Sequence, residues 1–333
     1  MPTGTVIRLD TASCQVLCEG QIVRCAFPGK WRLRRGAETL PLAVGDRVAV
    51  SPRPTGDGVV ESVEPRQGGV LARKAAGERE AEQVVAANVD QLVVVVSAAD
   101  PPLNRQLLDR LVVSGEQGGL AVSVCLNKID LVAPGLFDPV LDLYRRLGYD
   151  ALATSAASGQ GIEALRGRLQ GKTSVLAGPS GAGKSTLLMA VQPGLQLRVQ
   201  PVSRATRKGR HTTSSVSLLP LHVGGCVVDT PGVREFGLYD LARDDLRRYF
   251  PEMLERLGQC RFADCSHRQE PGCAVVAAVE AGAIDRGRYE SYCHIYESLP
   301  EPGPPRRESR REATERTEKR GKDRTKGDHG SHR

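Results

Sequence analysis

Apolar and polar residues alternate in short bursts through the first 65 positions. GTVIRLD, SCQVLCEG, QIVRCAF, DRVAVS and GVVESV are punctuated by turn-formers such as GDR and TGDG. Closely spaced short strands with Gly-rich turns predict a small β-barrel over residues 1–65. Residues 66–85 (RQGGVLARKAAGEREAEQVV) are polar with Gly and Ala, and read as a linker, partly helical or mobile. The pattern then changes. VDQLVVVVSA is continuously apolar, as in a strand buried on both faces of a parallel sheet. Helix-patterned NRQLLDRLVVSGEQ and DPVLDLYRRLG alternate with strand-like AVSVCLN and DALATSA, and TSVLAG, STLLMAV and GGCVVDT continue the series. Such alternation predicts a doubly wound α/β domain over residues 86–237.

Beyond it, DDLRRYFPEMLERL, AVVAAVEAGAI and DRGRYESYCHIYESL read as helices flanking a Cys/His cluster, a third unit over residues 238–299. Residues 300–333 are nearly devoid of apolar side chains and mix both charge signs, the composition of a disordered tail. That tail from residue 301 holds 11 Lys/Arg against 7 Asp/Glu, so it carries +4 of the chain's net +7. A basic balance suits a nucleic-acid partner without specifying one. The longest aliphatic run, Leu92 to Val96, is far too short to span a bilayer, and the first residues lack a signal-peptide stretch. A cytoplasmic monomer with no membrane partner is the expectation. Nine cysteines, an odd and scattered count, then point to a metal site plus spare thiols, not a disulfide framework.

Chemistry concentrates in a few stretches. Gly178-Pro179-Ser180-Gly181-Ala182-Gly183-Lys184-Ser185-Thr186 joins strand TSVLAG to helix STLLMAV, the context that makes G-x₄-G-K-S a P-loop. Backbone N–H groups there close around phosphate oxygens at a helix N-terminus. Lys184 is expected on the β- and γ-phosphates and Ser185 on Mg²⁺. The base is read elsewhere, by Asn127-Lys128-Ile129-Asp130. The Asp130 carboxylate matches the N1–H and N2–H₂ donors of guanine, Lys128 lies along the base, and Asn127 braces the loops. Ser155 and Ala156, in TSAASGQG, offer backbone N–H groups to guanine O6. After the P-loop come Asp229-Thr230-Pro231-Gly232, with Asp229 expected on Mg²⁺ through water and the Gly232 N–H on the γ-phosphate. Between them RKGRHTT places Thr212 or Thr213 to complete the Mg²⁺ shell. Val233 stands where many GTPases carry a water-orienting Gln, so slow intrinsic turnover is expected. His211 is the candidate for positioning water, beside Lys184 and Thr213 as the other catalytic residues; its alternative is a loop imidazole facing RNA or solvent.

All five elements of a guanine-nucleotide site are thus present, but the base-reading pair precedes the phosphate loop. A circular permutation explains this, because joining the old termini and cutting elsewhere leaves each strand in its place in the sheet.

Two further groups lie outside that domain. Lys30, Trp31, Arg32, Arg34 and Arg35 share one connection of the barrel. They form either a base-stacking, phosphate-binding loop or a solvated loop whose Trp tucks inward. Cys260-x₄-Cys265-x-His267-x₅-Cys273 offers three thiolates and an imidazole, a closed set suited to a structural Zn²⁺. Cys293 and His294 read instead as part of a helix core.

This permuted order, with AANVDQ, GRHTT, DTPGVREF and CRFADCSHRQEPGCAV, resembles the circularly permuted GTPases of late small-ribosomal-subunit maturation, the RsgA or YjeQ/YloQ family. The resemblance covers about residues 5–298. It implies an OB-type barrel, a permuted P-loop GTPase domain and a C-terminal helical zinc domain. It also implies one structural Zn²⁺, GTP/GDP with Mg²⁺, and a small (30S) subunit with its rRNA as partner, which stimulates hydrolysis. Because DTPG runs almost directly into the zinc unit, a γ-phosphate-dependent swing of that unit relative to the barrel is the mechanical expectation.

Overall fold

The computed structural model describes residues 1–10, 12–28, 42–54, 56–74, 82–195, 216–229, 238 and 241–301. The five N-terminal strands are β1 (Thr3–Leu9), β2 (Ser13–Cys18), β3 (Gln21–Ala26), β4 (Arg47–Pro52) and β5 (Gly58–Val63). They pair in the order β1-β2-β3-β5-β4, and β4 closes on β1 through Thr3↔Ala49 and Thr5↔Arg47. Among the described residues, only β3–β5 is parallel within this barrel. The alternation legible in the sequence sends Val6, Cys14, Val16, Cys25, Val48, Val50 and Val60 inward. The result is the closed OB-type barrel. Its loop of basic residues and Trp31 lies outside the described residues.

Residues 66–74 and 82–85 differ from expectation. Rather than a linker, β6 (Gly69–Lys74) and β7 (Glu82–Val89) form an antiparallel ribbon. Leu71 of this stretch, with Ala86 and Val89 at the end of β7, is buried beside Val44, Leu92 and Leu120, so the ribbon is recruited by a neighbouring core. Near the ribbon, the buried Asp46 carboxylate accepts both Nε and Nη2 of Arg66 at 2.8 and 3.0 Å. Asn88 Nδ2 donates to Gly45 O at 2.9 Å, fastening β7 to the barrel.

The α/β domain is built on β8 (Gln91–Ser97), β9 (Ala121–Asn127), β10 (Asp150–Ala153), β11 (Thr173–Ala177), β12 (Ser217–Pro220) and β13 (Cys226–Asp229). Their order is β10-β9-β8-β11-β13-β12, all parallel except β12. Every residue of β8 is buried. Leu92, Val94 and Val96 join the core under α1 (Arg105–Gln117) and α2 (Asp138–Arg146), whereas Val93 and Val95 join that under α3 (Ile162–Leu169) and α4 (Lys184–Val191). Period-two alternation of side chains is why one apolar run serves both faces. The free edge of β12 is covered by β1, through Arg8↔Ser217, which makes the barrel continuous with this sheet.

The C-terminal unit contains a 3₁₀ turn (Arg243–Tyr249) and three helices, α5 (Pro251–Leu254), α6 (Ala274–Glu280) and α7 (Arg286–Ser298). DDLRRYFPEMLERL is therefore not one helix. Phe250 precedes a proline and takes φ −124°, ψ 87°, because the pyrrolidine ring disfavours helical geometry at the preceding residue. Leu246, Phe250, Met253, Val279, Tyr292 and Ile295 form a core that also takes in Val113 of α1. Across that contact lies a buried charge network. Arg288 of α7, fully buried, donates to Asp109 Oδ1 of α1 at 2.5 Å and to Glu252 Oε1 at 2.7 Å. Tyr144 Oη also donates to Asp109 Oδ1 at 2.5 Å, and the guanidinium lies 4.5 Å from the Phe250 ring centroid. The C-terminal unit is thus joined to α1, a connection that the expected swing must carry with it. No helix of the described residues is long and apolar enough to cross a membrane.

Candidate nucleotide site and metal centre

β11 leads straight into the phosphate loop, and α4 begins at Lys184. Two glycines of the loop are dictated by close approach. Gly178 has φ +153°, and a Cβ there would lie 1.9 Å from Val95 O on the adjacent strand. Gly183, at φ +93°, would place a Cβ 2.3 Å from Asn127 Nδ2. That second clash reveals the join between the two halves of the site. Buried Asn127, at the end of β9, donates from Nδ2 to Ala182 O at 2.9 Å. The NKID stretch and the P-loop, 55 residues apart, therefore meet at a hydrogen bond.

Lys184 Nζ lies across the loop, donating to Gly178 O at 2.8 Å and Pro179 O at 3.0 Å, and burial pushes its pKa down. Ser185 and Thr186 are in the first turn of α4, with Thr186 exposed. Asp229 ends β13, one residue beyond the Val175–Val228 pair, on the strand beside the P-loop strand. Ser185 and Asp229 supply the hydroxyl and carboxylate oxygens that Mg²⁺ prefers. Lys128 adopts a left-handed conformation, φ +63°, and donates from Nζ to Asp100 O. Asp130 is exposed in a 3₁₀ turn, Ile129–Leu131.

One predicted contact differs. The Ser155 N–H, expected on guanine O6, donates to Gln160 O at 2.9 Å, and its Oγ accepts from the Ser158 N–H at 3.1 Å. The tight TSAASGQG turn consumes that donor locally. No backbone acceptor for the Ala156 N–H exists among the described residues, so Ala156 alone of the pair keeps the predicted capacity. His211, Thr212, Thr213, Gly232 and Val233 lie outside the described residues. Asp100 has no sequence signature, since its backbone carbonyl is the acceptor. A cleft of about 660 Å³ borders the phosphate loop only at Pro179, between residues 101–107 and α7.

In the C-terminal unit, the ligand atoms of Cys260, Cys265, His267 and Cys273 all lie within 4.8 Å of one another. Cys260 Sγ is 3.9 Å from Cys273 Sγ, and His267 Nδ1 is 3.4 and 3.7 Å from these two sulfurs. Zn–S and Zn–N bonds of about 2.3 and 2.0–2.1 Å require tetrahedron edges of about 3.8 and 3.6 Å. The four residues fit a zinc ion. Burial, then Arg247, lowers the His267 pKa, favouring the neutral imidazole that ligates metals. Cys293 and His294 are not part of the cluster.

A sheet parallel except for β12, in which the GPSGAGKST and NKID loops meet although the chain visits them in reversed order, is the arrangement of a circularly permuted GTPase. A family model described as RsgA GTPase matches residues 63–239. The small ribosomal subunit biogenesis GTPase RsgA of Chlorobaculum tepidum is 42% identical over 308 residues, covering 90% of this chain and 98% of that one. Its counterpart in Moorella thermoacetica is 43% identical over 289 residues, 87% and 94% of the two chains. The crystal structure of YjeQ from Thermotoga maritima superposes with a TM-score of 0.72 at 36% identity, covering 90% of this chain and 98% of that one. YloQ, a circularly permuted GTPase, gives 0.65 at 29%, with 90% and 94% covered. The chain belongs to the RsgA GTPase family, and is a GTP hydrolase.

Proposed function

We propose that this GTPase binds the small ribosomal subunit late in its maturation and hydrolyses GTP under stimulation by that subunit. It docks in the GTP state and is released after hydrolysis, acting as a cytoplasmic monomer. The observation supporting the nucleotide assignment is the bond from Asn127 Nδ2 to Ala182 O, which brings the NKID stretch against the P-loop.

In this reading the P-loop N–H groups from Gly178 to Thr186 cradle the phosphates. Lys184 leaves its carbonyl partners for the β- and γ-phosphates, and Asp130 reads guanine, with Lys128 along the base and the Ala156 N–H on O6. Ser185, Asp229 and Thr212 or Thr213 would hold Mg²⁺, which would supply charge neutralisation to the transferring phosphoryl group. The Gly232 N–H meets the γ-phosphate. A water oriented by His211 attacks the γ-phosphorus, the bond to the β-phosphate oxygen breaks, and GDP and phosphate form. With Val233 unable to orient water, the subunit completes the site. A structural Zn²⁺ stabilises the C-terminal unit, and Lys30, Trp31, Arg32, Arg34 and Arg35 contact rRNA.

The test is phosphate release from GTP and ATP by the purified chain, with and without small subunits. Strong stimulation of GTP hydrolysis by small subunits is expected. Tight GTP-dependent binding with no stimulation would replace the proposal by a nucleotide-gated RNA-binding module. A preference for ATP would overturn the role of Asp130.

A further inference from the structure

The four zinc-site residues lie within residues 260–273, and one of them has an unusual backbone conformation. His267 has φ +62°, in the left-handed region that a residue with a β-carbon seldom adopts. Its neighbours on both sides are fastened. The Glu270 carboxylate accepts from Ser266 N at 2.8 Å and Ser266 Oγ at 2.5 Å through Oε1. Through Oε2 it accepts from the N–H groups of Arg268 at 3.0 Å and Gln269 at 3.1 Å. The carbonyls of the same stretch are held from α7, where Tyr292 Oη donates to Ser266 O at 2.9 Å and Tyr289 Oη to Arg268 O at 2.7 Å. His267 thus stands between residues anchored on both their N–H and C=O sides, and Nδ1 faces the Cys260 and Cys273 sulfurs.

We infer that Glu270 is a positioning residue of the metal centre: its carboxylate holds residues 266–269 in the one conformation that aims the His267 imidazole at the three thiolates. It touches no ligand atom and acts through the backbone on either side of His267. A carboxylate is suited to this, because it is acceptor-only and offers two oxygens with paired acceptor sites. Burial opposes its ionisation, yet the Ser266 hydroxyl, followed by backbone N–H groups, outweighs burial and holds the carboxyl well below the usual carboxylate range. A glutamine would present an NH₂ group to two of these donors. The segment would relax, His267 would leave the left-handed region, and the imidazole would turn away from the sulfurs.

The inference rests on the reading that the cluster holds zinc. Zinc content of the purified wild-type chain tests that reading first; a chain without stoichiometric zinc removes both. With zinc present, competition against a chromophoric chelator measures zinc affinity in wild type, Glu270→Gln and Glu270→Asp. The expected result is a loss of about 10–100-fold for Glu270→Gln, the usual effect of removing a residue that orients a ligand. Glu270→Asp, which keeps the charge on a shorter stem, should fall between. Cobalt-substituted Glu270→Gln should show altered d–d bands as the imidazole leaves the shell. A merely structural Glu270 would lower the unfolding midpoint of zinc-loaded and zinc-stripped protein alike, leaving zinc affinity and cobalt spectrum unchanged, and that outcome overturns the inference. If Glu270→Gln does not fold even with zinc supplied, Glu270→Asp decides alone, and unchanged zinc affinity overturns the inference equally.

Discussion

Replacing Arg288 by methionine removes the positive charge from the contact between α7 and α1 while keeping an unbranched apolar stem. Asp109 is fully buried and the Glu252 side chain is 8% exposed, so two carboxylates lose their guanidinium without gaining water. Removing one partner of a buried pair costs about 3–5 kcal/mol, and the lost contact with the Phe250 ring falls within that sum. At 1.4 kcal/mol per tenfold, the opening equilibrium of α7 shifts by roughly two to three and a half powers of ten. Hydrogen exchange on the full chain reads this directly as lost protection in α7 and in the facing half of α1, with the barrel strands unchanged. The cause is separable from shape. Combining Arg288→Met with Asp109→Leu, Glu252→Leu and Tyr144→Phe removes every charge and the hydroxyl that would be orphaned. Apolar replacement of a complete buried network is often neutral or stabilising, so protection should return. A loss of protection under about threefold in the single variant would refute the reasoning. So would a quadruple variant as loose as the single one, since the deficit would then come from packing.

Three other outcomes are expected from the geometry. Asn127→Ala orphans the Ala182 carbonyl and unties the two loops, so binding of a fluorescent GTP analogue should weaken by about 1–3 kcal/mol, and unchanged affinity would mean that the loops hold without it. Asp130→Asn exchanges an acceptor for a donor opposite the C2 substituent of the base; competition binding should turn from GTP toward xanthosine triphosphate, and an unaltered guanine preference would remove Asp130 from base reading. Stripping zinc should loosen residues 260–273 and α7 in proteolysis and be reversed by zinc. Nucleotide affinity should stay within about threefold, because the centre shares no residue with the P-loop.

What the sequence determined is what short stretches encode. G-x₄-G-K-S between an apolar strand and a helix is a local pattern that reads as a phosphate loop before any tertiary contact is known, and three Cys and one His between residues 260 and 273 have too little chain between them to part far. The continuous apolar run of β8 announced a parallel sheet, since only a strand covered on both faces dispenses with polar positions. Tertiary structure decided whatever depends on distant partners. Residues 69–74 and 82–89 form a ribbon because Leu71, Ala86 and Val89 find a core supplied by other strands. Glu270 and Ser155 take roles set by which N–H groups a turn happens to present or consume. Arg288 looks in sequence like any charged helical residue, and becomes a buried tie only because Asp109, 179 positions earlier, arrives opposite it. Charge pairing acts over a few ångströms and is blind to chain separation, so no local pattern can announce it.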